Sequence, residues 1–421
     1  MPLPVRSLPV VQKWSCHGCS DCCRTYHVRV TDAERDRIAK MDWSGDPAMA
    51  GVDVTVYDKK ARDYRLNHQD DGVCVLLDAE NRCRIHAKYG EPAKPMACRL
   101  YPFVLVPAGD HWRVGLRFAC PTVTKNEGKP VAERTGELRE YAGLLEADAS
   151  VPPGDVPAPP LQGSQAVSWP DLLRFTKAVV ALLAVPGRPI ERKLRAVLSF
   201  DQVCRHARYD KVQGKRLGEL FEVLTVAVGD ETPADPYAVR KPGWVGRMTF
   251  RQVAALYCRK DSGRNKGSVA GRGRFALAAA AWRFARGTGI VPRLHGLMPE
   301  GIPFATADKP FGPLPDASEA LLTRYYVSKV ESMQFCGSTN FHQGFWDGLE
   351  MLVLTFPVVM FIARVMVAGG KPKDEAVSDA LRIVDDNFGF NPLFGKGRQV
   401  WALRMLAAKG ELPRLVAWYG R

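Results

Sequence analysis

Up to about residue 125 the chain alternates short apolar runs with turns: TYHVRVT, VDVTVYD, VCVLLD, YPFVLVP and WRVGLRF. Several of these alternate apolar and polar positions with the period of two that half-buries a strand, and Asp, Gly and Pro stand between them. One helix is expected among them. Thr31 is followed three residues later by Glu34, with Asp32 in the first turn, so a capping box predicts a short helix from Thr31 to Ala39. The segment SVPPGDVPAPP, residues 150–160, has too many prolines for a helix or a central strand and reads as a semi-rigid linker. Beyond it the period becomes helical. Apolar residues at three and four spacings predict helices over 169–184, 191–208, 217–228, 250–259, 275–286, 317–329, 340–368 and 375–386. The segment WALRMLAAKGELPRLVAWYG adds one more, and no internal repeat of fixed period is present. The expectation is an α+β protein: a small cysteine-rich metal or cluster module over 1–125, a helical segment and Pro-rich linker over 126–165, and a mostly α-helical domain over 166–421.

With 421 residues and 46% apolar content the chain can bury the cores of two or three domains. Met351 to Ala368 is the one stretch that approaches a membrane span, yet it runs only about 18 residues and carries Arg364 and Pro357. A buried core helix is expected there instead. Met1 to Trp14 lacks the apolar run of a secretory signal, which gives a cytoplasmic location as the expectation. The net charge of +14 favours an acidic partner or surface. The densest basic stretch, RKDSGRNKGSVAGRGR from Arg259 to Arg274, is rich in Gly and Ser and predicts a flexible loop. No aromatic residue interleaves it to stack a base, so nucleic acid is not the expected partner.

The cysteines change the picture more. Of eleven, eight lie at positions 16, 19, 22, 23, 74, 83, 98 and 120. A reducing cytosol disfavours stable disulfides, so clustered thiols point to metal binding or redox chemistry. Cys204, Cys258 and Cys336 stand in apolar helical surroundings and are expected in the core. In Cys16-His-Gly-Cys19-Ser-Asp-Cys22-Cys23 the thiols fall at i, i+3, i+6 and i+7. Two-residue gaps let neighbouring sulfurs converge on one ion or cluster face, and Gly18 helps the loop turn. Adjacent residues rarely ligate one centre, so Cys22 or Cys23 is expected to turn away. Three such cysteines with a remote fourth form a ferredoxin-like arrangement, the remote ligand being Cys98 or Cys120, the latter followed by Pro121. That favours an iron–sulfur cluster, a [4Fe–4S] in particular, while four thiolates would equally satisfy zinc. Cys74 and Cys83 extend the candidate ligand set, and eight thiols suffice for two sites or for one site and a redox pair. His17 and His86 stand close enough in sequence to tune a sulfur. Arg99 and Tyr101, flanking Cys98, are candidates for binding a cofactor, since a guanidinium stabilises an anionic centre or a carboxylate. The spacing is not the i, i+4, i+7 of radical S-adenosylmethionine enzymes, and no Gly-rich strand-to-helix turn marks a Rossmann-type fold.

The ordered set formed by Cys16, Cys19, Cys22 and Cys23, then DGVCVLLD with Cys74, RCRIHAKYGEP with Cys83 and ACRLYPF with Cys98 resembles the CxxCxxCC (YkgJ-type) cysteine-cluster family, which includes flagellin lysine N-methylases. The resemblance implies zinc or iron chelation. Its methylase branch implies an iron–sulfur protein that moves a methyl group from S-adenosylmethionine to lysine side chains of a protein substrate. ALLTRYYVSKV and LTFPVVMFIARV are similar to the carboxy-terminal helices of that branch. Two functions are therefore expected in competition: a protein-lysine methyltransferase with a cluster, or a non-enzymatic zinc- or iron-chelating module for metal handling or partner binding.

Overall fold

The computed structural model describes residues 3–6, 12–59, 61–149, 152–209, 211–259 and 273–421. Most of the basic stretch expected as a loop lies outside the described residues.

The amino-terminal elements are short. β1 (Lys13–Trp14), α1 (Asp21–Thr25), β2 (Arg29–Val30) and α2 (Asp32–Ala39) precede the hairpin of β3 (Thr55–Asp58) and β4 (Asp63–Leu66). The capping box of α2 forms as expected: the Glu34 N–H donates to the Thr31 hydroxyl at 3.2 Å, and the Thr31 N–H donates to the Glu34 carboxylate at 2.9 Å. The strands β2, β4 and β3 make one antiparallel sheet with β4 in its centre. Its sequence, DYRL, hides it, because a half-exposed strand of four residues shows little alternation. VCVLLD, expected as a strand, is instead a pair of tight turns held by single bridges, His68 to Cys74 and Leu77 to Cys83. Its apolar side chains are buried because the segment folds back under the sheet, where alternation has no meaning.

After α3 (Arg84–Tyr89) and α4 (Met96–Leu100), β5 (Phe103–Pro107) and β6 (Trp112–Leu116) pair antiparallel, with Phe103 opposite Leu116. α5 (Pro121–Lys125) begins with Pro at its first position, where no N–H is needed. β7 (Lys129–Pro130) pairs with β1, and α6 (Thr135–Asp148) leads toward the helical part.

That part comprises α7 (Trp169–Leu183), α8 (Ile190–Cys204), α9 (Lys215–Glu231), α10 (Trp244–Cys258), α11 (Arg274–Arg286), α12 (Phe304–Ala307), α13 (Asp316–Glu331), α14 (Phe345–Ala368), α15 (Lys373–Asn387), α16 (Gly397–Ala408) and α17 (Glu411–Tyr419). The final expected helix is thus two, broken at Gly410, whose positive φ of 62° ends the first. α14 is long and apolar enough to cross a membrane, but 89% of its most apolar window is buried within the protein. It is the central core helix, packed by α8, α12, α15 and α17. Its one cation, Arg364, donates to the carbonyls of Ala307 and Tyr419, both at 3.1 Å. Cys204, Cys258 and Cys336 are buried in this core. The fold is α+β, with small sheets first and helices after.

Two hydrophobic cores divide the molecule unequally. The smaller gathers Val30, Ile38, Met49, Leu66, Leu76 and Ile85. The larger takes in the helices together with Trp14, the β5–β6 hairpin, Phe118 and Val123. Lys329 and Asp385 pair at 2.6 Å inside that larger core with essentially no exposure. The Lys329 ammonium also donates to the Leu116 carbonyl at 3.1 Å and to Gln334 at 2.7 Å, while Asp385 accepts from the Ala119 N–H at 3.0 Å. A buried ion pair is tolerable when its donors and acceptors are met; the Lys329 ammonium has three acceptors here and Asp385 Oδ2 one donor, while the Gln334 Nε2 beside them is buried without one.

Candidate metal centre

The loop from Cys16 turns at Gly18, with φ of 66°, and at Ser20, with φ of 54°, before α1 begins. Cys16 and Cys19 are exposed on it, and Cys22 and Cys23 are half-buried in α1 with their sulfurs 3.9 Å apart. Arg24 anchors the loop to the opposite turn by donating to Asn81 at 2.8 Å and to Ser20 at 3.2 Å. From the other side, the Cys74 N–H donates to the Cys23 carbonyl at 2.9 Å. Cys83 caps α3, Cys98 lies in α4, and both pack against the small core alongside Cys23 and Cys74.

Electrostatics groups the thiols. Burial comes first in pushing the Cys98 thiol well above its ordinary range, and the charges of Cys22, Cys74 and Cys83 push the same way while Lys94 opposes them. Cys74 is pushed up to about 11, again by burial first, with Cys83 and Cys22 adding to it. Cys22 is raised chiefly by its hydrogen bond with Cys23 and then by burial, and Lys94 again opposes. Cys19 is raised by burial, then by Cys22 and Cys16, against the pull of Arg382. Cys120, which caps α5, is raised by burial and by Cys19, against two backbone N–H groups and Trp14. The sequence therefore folds Cys22, Cys74, Cys83 and Cys98 into one neighbourhood from four separate segments, and Cys16, Cys19 and Cys120 into a second beside it.

Among the described residues no three His, Cys, Asp or Glu side chains converge closely enough to enclose an ion. The donor set nonetheless fits a soft cation: Cys22, Cys74 and Cys98 are desolvated thiols that repel one another when ionised, and a cation among them and Cys83 removes that repulsion.

The other residues singled out in the sequence lie as follows. His17 approaches Glu127 at 3.7 Å on the surface, and His86 is exposed on α3. Arg99 is engaged by Glu91 at 2.9 Å and Glu140 at 2.6 Å, with its guanidinium over the Tyr141 ring. Tyr101 packs its ring 5.4 Å from Tyr26.

Two cations near the thiols escaped the sequence reading. Lys94 stands four residues before Cys98, a spacing that could have suggested it. Arg382 reaches the loop from α15, with Asp21 at 3.1 Å and Asp379 at 2.8 Å, and no local signal could have announced it. Arg117 completes this seam, with Asp386 at 3.2 Å and its guanidinium over Tyr26. The cleft along the seam, between Asp21, Tyr26, His295 and Arg382, has a volume of only about 20 Å³.

Residues 15–126 match the CxxCxxCC family, described as a zinc- or iron-chelating domain. No curated protein and no solved structure matches the chain.

Proposed function

From residues 15–126 as a zinc- or iron-chelating CxxCxxCC module, we propose that this protein holds its metal through Cys22, Cys74, Cys83 and Cys98, with Cys16, Cys19, Cys23 and Cys120 as the outer thiols. The observation that carries this reading is that Cys74, Cys83 and Cys98, together with Cys23 next to Cys22, come from four separate segments to one small core, where Cys22, Cys74 and Cys83 all raise the Cys98 thiol. Lys94 and Arg382 supply positive charge toward the thiolates, which lowers the cost of keeping them ionised.

Within that function we read the centre as iron–sulfur, a [4Fe–4S] cluster, which takes four thiolates, the number that Cys22, Cys74, Cys83 and Cys98 supply. The enzymatic reading adds S-adenosylmethionine as methyl donor and a protein lysine as acceptor. Its support is the ordered cysteine set shared with the methylase branch and the helical body that follows. A bound cluster would supply Lewis acidity toward the donor, while the chain would keep the acceptor amine neutral and dry. The competing reading, a metal-handling or partner-binding module, needs only the thiols.

The test is iron, zinc and acid-labile sulfide content, with the visible spectrum, of anaerobically purified wild type, Cys98→Ala and Cys19→Ala. Metal present in the wild type and reduced to about a tenth or less in Cys98→Ala is the expected result. Iron with matching sulfide favours the cluster and makes binding of S-adenosylmethionine the next measurement. Zinc without sulfide rules out the cluster and the methyl transfer tied to it. No metal at all overturns the whole reading.

A further inference from the structure

The helical body contains a cavity of about 590 Å³, within the range of small-molecule pockets, and no cysteine lines it. Its walls differ in chemistry. One side is apolar, from Leu198 of α8 and Leu412 of α17. The other is a charged network that joins α8, α14 and α16. Arg205, just past α8, reaches both oxygens of Asp201 at 3.0 and 3.1 Å, Asp347 at 3.1 Å and Glu350 at 2.8 Å. Arg404 reaches Asp347 from the far side at 2.7 Å.

Three carboxyl groups thus share two guanidinium groups. Their side chains are only 3%, 12% and 16% exposed for Asp201, Asp347 and Glu350, so water does not screen the imbalance. The network is thus one positive charge short. Burial first, and then the charge of Asp201, its hydrogen-bond partner, push the Glu350 carboxyl up to about 9, while Arg205 opposes the shift. The Glu350–Asp201 pair therefore favours holding a proton, in the place where one more cation would balance the network. An apolar wall facing such a place matches a particular ligand, a hydrocarbon stem ending in a positive charge.

We propose that this cavity binds a small free alkylammonium compound, its ammonium group beside Glu350 and Asp201 and its stem lying against Leu198 and Leu412. Binding leaves the ligand's N–H bonds intact and releases the Glu350 proton to solvent, so one cation exchanges for another. The titratable and charged groups that line the cavity with Glu350 are Asp201 from α8, Arg205 and His206 just past its end, Asp347 on its own helix and Arg404 on α16; α17 presents Leu412 and Pro413. The site is independent of the metal-centre reading.

The experiment is calorimetric titration of the full-length protein with cadaverine, with pentane-1,5-diol as the uncharged counterpart, and with a peptide carrying a single lysine. Cadaverine is expected to bind and the diol not. Heats in two buffers of different ionisation enthalpy are expected to show about one proton released, and the affinity to rise about tenfold per pH unit from roughly 6 to 8. Glu350→Gln, which keeps the shape of the protonated carboxyl, is expected to lower the affinity at least about tenfold with its circular-dichroism melt intact. Equal affinity for the diol, no proton release, or an unchanged Glu350→Gln affinity each overturns the proposal. Binding of the lysine peptide without cadaverine overturns the small-molecule assignment. The proton count on the wild type decides the matter even if the variant does not fold.

Discussion

An unfolded glutamate gives up its proton in the ordinary carboxylate range, whereas Glu350 in the folded chain keeps its own up to about 9. Between those values the folded state binds the extra proton. Stability from this group is therefore greatest at acid pH and declines as pH rises, by as much as about 1.4 kcal/mol per unit. Melting temperature is expected to fall between about pH 5 and 9, and Glu350→Gln to flatten that slope; a wild-type profile that rises over the same range contradicts it. Single residues also mark how far the sequence could be read. The eight clustered cysteines stood out as candidates, because thiol chemistry is scarce enough that type and spacing speak, but the grouping of Cys22 with Cys74, Cys83 and Cys98 did not, since it joins four separate segments. Glu350 was not legible, since a glutamate in a helix is ordinarily a solvated charge, and only the packing of α8 and α16 against α14 removes water from it.

Elements were legible where the pattern was long. α7, α13 and α15 lie close to their expected bounds because each keeps one apolar face through three turns or more. α10 begins six residues before the expected Phe250, at Trp244, since its first turn exposes Trp244 and Val245 and so breaks the apolar rhythm. The pairing of α1 with α15 was beyond reach, as it joins Asp21 to Arg382 across most of the chain. That pairing makes a prediction about the metal. Arg382 holds the cysteine loop from the helical side and lowers the cost of a Cys19 thiolate, so Arg382→Ala is expected to lose metal to a chelator about tenfold faster at unchanged secondary structure. Arg382→Lys, which keeps the charge, is expected to recover part of the difference. Identical release from all three proteins would show that the loop holds metal without help from α15.

At the scale of the molecule, cysteine spacing and core boundary do not coincide. The small core ends near α4, and the β5–β6 hairpin already packs with the helices, its Leu116 carbonyl accepting a hydrogen bond from Lys329. The cysteines run on to Cys120, and the family match over residues 15–126 extends past it. The three-dimensional packing instead puts Cys120 in the larger core, where it caps α5 beside Trp14. The enclosed α14 has a further consequence, for the order in which the protein is made. α8 and α12 precede α14 in the chain, but α15 and α17, which cover its other sides, follow it. As the chain leaves the ribosome, a 24-residue apolar helix waits with a bare flank for its last partners. During that interval it offers chaperones, and the machinery that sorts apolar nascent segments to membranes, the same surface that a membrane span would. A stop codon after Gly370 would make the interval permanent, and the product is expected to pellet or to co-fractionate with membranes while the full chain stays in the supernatant.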